Sequence, residues 1–76
     1  MVNIHQYISA LTYKKSREIN EIAKNNDCVI RFSSSKDIIN AINMSSLLNM
    51  DSDFYQITVN GNNENEVLKS IIKVIK

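Results

Sequence analysis

The chain reads as an α+β domain, an open-faced two-layer sandwich in the order β-α-β-β-α-β-α, with a four-stranded antiparallel sheet carrying three helices on one face. Three observations lead there. Apolar residues alternate at period two in four short segments and recur at helical spacing in three others. Each segment is apolar on one side only, so each needs a single layer to pack against, and two layers satisfy them all. With 76 residues, the chain has room for one domain, residues 1–76, and no more.

Residues 2–9 alternate, with Val2, Ile4 and Ile8 toward the core and Asn3, His5, Tyr7 and Ser9 away from it. Gln6 is the polar residue on the inward side. From Lys15 to Asn25 the period lengthens: Ile19, Ile22 and Ala23 share a helical stripe, and Asn25-Asn26 suits its end. Residues 28–32 form a second strand with Ile30 and Phe32 inward. After the polar turn Ser33-Ser34-Ser35-Lys36, a strand over 37–41 places Ile39 and Ala41 inward. So short a connection makes the two strands an antiparallel hairpin. Asn43 is positioned to cap a short helix bearing Met44, Leu47 and Leu48. Residues 54–59 alternate again, with Tyr55, Ile57 and Val59 inward, and Asn60-Gly61 follows as a turn. Asn62 or Asn63 can cap a last helix whose Val67, Leu68, Ile71, Ile72 and Ile75 form one stripe. The uncovered sheet face should present His5, Tyr7, Val29 and Arg31 to solvent.

Composition excludes several classes of function. Nine Lys and Arg stand against eight Asp and Glu, a net charge of +1. Lys14, Lys15 and Arg17 form the only basic cluster, too small for a track along a phosphate backbone, so no nucleic-acid partner is expected. No apolar run approaches the ~20 residues that span a bilayer, so no membrane insertion is expected either. The start, Met1 to His5, has neither a basic nor an apolar leader region, which argues against a signal peptide. Cys28 is the sole cysteine and leaves no internal disulfide, which fits a reducing, cytoplasmic setting. Its place in an apolar run suggests a buried core filler.

The same inventory offers little chemistry. One His and one Cys in different elements do not make a zinc site, and one glycine does not make a phosphate loop. The carboxylates at Glu18, Glu21, Asp51, Asp53, Glu64 and Glu66 fall mostly on solvated faces, and no two form an acid–base pair. Glu64 and Glu66 have a plain role near a helix N-terminus. The reading is therefore of a protein that binds another protein, with no metal, no cofactor and no self-contained enzyme site.

Two segments stand out. The first is Ala10 to Lys15, between the first strand and the first helix. Thr12 is placed to cap that helix. Free backbone N–H groups with Lys14 and Lys15 nearby would favour an anion, which makes Thr12, Tyr13, Lys14 and Lys15 a candidate site. The plain alternative is an ordinary capped helix start with solvated lysines. The second segment is Met44 to Met50. A short helix cannot bury Met44, Leu47, Leu48 and Met50 on one side, so some of Met44, Leu48 and their neighbours should form an exposed contact patch. The alternative is that all four reach the core.

These residues and their order resemble HPr, the phosphocarrier protein of the bacterial phosphoenolpyruvate:sugar phosphotransferase system. The segment Ile39-Asn40-Ala41-Ile42-Asn43-Met44-Ser45-Ser46-Leu47-Leu48 is similar to the family's Val-Asn-Ala-Lys-Ser-Ile-Met-Gly-Leu-Met. Counting back without a gap sets Ala10-Leu11-Thr12-Tyr13-Lys14-Lys15 on the family's Gly-Leu-His-Ala-Arg-Pro. Gln56-Ile57-Thr58-Val59 resembles the fourth strand, with a small deletion after it. In the family, the His takes phosphate from phosphoenolpyruvate through enzyme I and hands it to a sugar-specific component. A neutral imidazole nitrogen is nucleophilic and holds phosphate at high transfer potential.

Thr12 stands at that position here, Lys14 replaces the Arg and Lys15 the Pro. A threonine ester is a poor phosphoryl donor, and Lys lacks the planar fork of Arg. The family's regulatory serine position falls on Asn43, which cannot be phosphorylated. Met44 and Leu48 match docking positions, whereas Ser45 replaces an apolar docking residue. The resemblance thus implies a divergent relative without phosphocarrier activity. It would act as a regulatory or competing docking module, partnered by phosphotransferase-system enzymes or a transcription regulator. The alternatives are phosphoryl transfer through Thr12, Ser45 or His5, and small-anion sensing at the first helix N-terminus.

Overall fold

The computed structural model describes all residues, 1–76, in seven elements: β1 (Val2–Ile8), α1 (Tyr13–Asn25), β2 (Cys28–Ser33), β3 (Ile38–Asn40), α2 (Met44–Leu48), β4 (Asp53–Gly61) and α3 (Glu64–Ile75). The strands form one antiparallel sheet in the order β1-β4-β2-β3. The order, the open sheet and the three helices match the expected sandwich. No helix is long and apolar enough to cross a membrane.

Register explains the core. Val59 pairs with both Val2 and Ile30, and Ile57 with both Ile4 and Phe32, while Phe32 also pairs with Ile39. Side chains alternate across a strand, so these rows share the covered face. Ile8, Ile30, Phe32, Ile57 and Val59 are buried there against Ile19 of α1, Leu47 of α2 and Ile71 of α3. Phe32 and Tyr55 meet edge to face with ring centroids 6.4 Å apart. His5, Tyr7, Val29 and Arg31 face solvent on the other side, as the alternation requires.

Three expectations are corrected. Asn60 and Gly61 do not form the turn; they complete β4, and Gly61 pairs with Cys28. Gly61 has φ +144°, and a Cβ there would lie 2.3 Å from the Asp27 carbonyl oxygen, so only glycine allows this approach. The chain reverses instead through Asn62 and Asn63, and Asn63 enters α3 at φ 56° without a side-chain cap bond. Cys28 is half-buried at the rim of the core rather than within it, because it sits at the first position of β2. Ile4 lies on the covered side as expected but retains 37% exposure, because β1 is an outer strand and the helix layer covers its edge incompletely.

Polar ties set where the loops lie. The buried Asn20 side chain of α1 donates to the carbonyls of Ala41 (3.1 Å) and Ile42 (3.0 Å) and so fixes the link from β3 to α2. Tyr55 Oη donates to the Asp51 carbonyl at 2.9 Å, and the Ala10 N–H donates to Ser52 Oγ at 2.8 Å. The second bond holds the entrance to α1 against the exit from α2.

Candidate functional site

The mouth of α1 is built from the inside of the chain outward. Thr12 has extended backbone angles and its Oγ1 accepts from the Lys15 N–H at 3.2 Å, while its carbonyl accepts from the Ser16 N–H at 2.9 Å. That is a side-chain N-cap. The helix therefore starts at Tyr13, two residues before the periodic stripe suggested, because apolar spacing is blind to the first exposed turn.

Lys15 does not point into solution. Its Nζ donates to the carbonyl of Ile75 at 3.2 Å, at the C-terminal end of α3, where a cation is favoured by the helix dipole. Thr12 and Lys15 line a cleft of about 190 Å³ together with the end of β1 and Ile75 and Lys76. Tyr13 and Lys14 are exposed and do not line it. The four residues grouped as an anion site are thus divided. One hydroxyl and one N–H satisfy each other, one ammonium is held by α3, and the Tyr13 hydroxyl and Lys14 ammonium stay free of intramolecular bonds.

The α2 segment has the opposite character. Asn43 Oδ1 accepts from the Ser46 N–H at 3.3 Å and from Ser45 Oγ at 2.9 Å, which closes the N-terminus of this short helix. Leu47 and Met50 are buried, whereas Leu48 is 43% exposed and Met44 half-buried. Geometry explains the division: five helical residues present barely more than one turn, and one turn can turn only one side inward. Ile42, just before the cap, is 56% exposed and widens the apolar surface beyond the residues singled out from sequence. Its position outside any periodic stripe hid it. Ser45 lines a separate groove with Ser46, Asn49 and the start of β3.

His5 pairs with Gln56 in the middle of β1 and projects from the uncovered face of the sheet, away from the helix layer that contains Thr12. Cys28 Sγ donates to the Asn62 carbonyl at 2.8 Å. Burial raises its pKa above the ordinary 9.0, and the Asp27 and Glu64 carboxylates add to the shift. Such a thiol is a poor nucleophile at neutral pH, and His5 is not beside it. Nowhere do three or more His, Cys, Asp or Glu side chains converge as metal ligands would.

No protein-family model and no curated protein matches the sequence. Solved structures similar in fold over the whole chain include two HPr proteins. HPr-C-His from Thermoanaerobacter tengcongensis superimposes with a TM-score of 0.83 at 15% identity, covering 99% of this chain and 91% of that one. The phosphocarrier protein HPr from Bacillus anthracis strain Ames gives a TM-score of 0.82 at 15% identity, covering 99% and 96%. The fold is HPr-like.

Proposed function

We propose that this chain is an HPr-like docking protein that does not itself carry phosphate. The observation that supports this reading best is the mouth of α1. Where the family resemblance places a phosphorylatable imidazole, this chain has Thr12, and its hydroxyl oxygen is occupied in capping the helix. No carboxylate or imidazole is hydrogen-bonded to that hydroxyl to activate it. The chain's only histidine projects from the other side of the sheet.

Docking is supported by what the fold leaves outside. Ile42, Met44 and Leu48 form an apolar surface around α2 that carries no charged side chain between Ile38 and Met50. An apolar patch with a polar rim is the kind of surface a partner covers, and Lys24 and Asp27 share a groove with Ile42 at that rim. A chain that retains this patch and lacks the acceptor would occupy partners of a phosphocarrier without passing phosphate on. The test is competition: phosphate transfer from enzyme I to an authentic HPr, measured with increasing amounts of this protein. Transfer should slow with the unaltered chain and recover with Leu48→Asp. Inhibition that Leu48→Asp leaves intact, or none at concentrations far above that of HPr, would reject docking through α2.

A further inference from the structure

The two edges of the sheet are built differently. The β3 edge is three residues long and is preceded by Lys36 and Asp37, a short, charged edge of the kind that resists pairing. The β1 edge is seven residues, Val-Asn-Ile-His-Gln-Tyr-Ile, with no charged residue, proline or glycine. It pairs with β4 from Val2↔Val59 to Ile8↔Asp53 without a bulge. It thus offers a row of outward backbone N–H and C=O groups, in which the Tyr7 carbonyl also accepts from the Gln6 side-chain amide at 3.3 Å. Ile4 on the covered side and Tyr7 on the open side remain 37% and 49% exposed along it.

The geometry points to β1 as a self-association edge, with a second copy of this chain as its occupant. In an antiparallel pairing about a two-fold axis, the register that engages all seven residues centres on His5. Val2 then faces the partner's Ile8, Asn3 its Tyr7, Ile4 its Gln6, and His5 faces the equivalent imidazole. On the covered side Val2 meets Ile8 at both ends and Ile4 meets Gln6, polar and aromatic residues meet on the open side, and neither strand carries a lysine, arginine, aspartate or glutamate. The two sheets become one of eight strands. The α2 patch packs by β3, the far edge, so it stays free in such a dimer.

The register makes the idea testable by charge exchange. Cβ atoms directly opposite lie about 5 Å apart, and like charges there are destabilising. Sedimentation equilibrium of the full chain, from micromolar to about millimolar, should show a monomer–dimer equilibrium. His5→Lys and His5→Glu should each weaken it about fivefold or more, and an equimolar mixture of the two should recover it. Ile38→Lys, at the other edge, should leave it unchanged. In the unaltered protein, alternate β1 amide protons should exchange more slowly as concentration rises. That readout does not depend on any variant folding. A monomer at every concentration overturns the inference. So does a dimer indifferent to charge at His5, or one that dissociates only over hours as exchanged segments do.

Discussion

Asn20 does structural work that its residue type conceals. An asparagine at a helix position ordinarily reads as surface, yet this one is 5% exposed and spends its amide on two carbonyls of another element. Replacing it with alanine should cost about 1–3 kcal/mol, since both acceptors lose their donor in a dry site. Asn20→Asp should cost more, because a carboxylate would face two carbonyl oxygens; urea titration measures both, and a neutral Asp variant would contradict the assignment. The Cys28 thiol and the Tyr55 phenol share a second property. Burial, then nearby carboxylates, raise both above their ordinary 9.0 and 10.0. The folded chain thus holds these protons more tightly than the unfolded chain. Their contribution to stability is complete below the ordinary values and is lost as pH rises through the folded ones. Stability should fall above pH 9.0, and less steeply in Cys28→Ala, as thermal melts across that range would register. Slow alkylation of Cys28 at about pH 8 follows from the same shift.

Among the elements, legibility followed periodicity. Ile30, Phe32, Ile39, Tyr55, Ile57 and Val59 alternate, and each is buried where alternation puts it. Thr12 and Asn43 were readable as caps because capping needs only a short acceptor just ahead of a helix. Asn60-Gly61 misled because that dipeptide usually marks a turn. Here the glycine serves a close approach to Asp27, and closeness between distant segments leaves no local trace. The partner of Lys15 was hidden for the same reason: it is the end of α3, sixty residues along. The short α2 depends heavily on its cap, since isolated helices of this length do not persist in water. Asn43→Ala should therefore cost about 1 kcal/mol. It should also loosen α2 selectively, seen as faster amide exchange at Leu47 and Leu48 while Ile19 in α1 is unchanged; uniform exchange would contradict a local role.

For the whole molecule, the sandwich separates some features and joins others. The α2 patch and the β1 edge belong to opposite edges of the sheet, the α1 mouth shares a cleft with the end of β1, and His5 is on the sheet face that the helices leave bare. Overall order and layering were legible because each element has one apolar face and few two-layer arrangements accept seven such elements. What the surfaces bind was not, since recognition depends on a second molecule. Whether phosphate reaches this chain is the decisive measurement. Incubating the chain with phosphoenolpyruvate and enzyme I, and following its intact mass and phosphorus NMR beside an authentic HPr, should leave it unmodified while HPr becomes phosphorylated. One phosphate per chain on Thr12, Ser45 or His5 would make it a carrier after all.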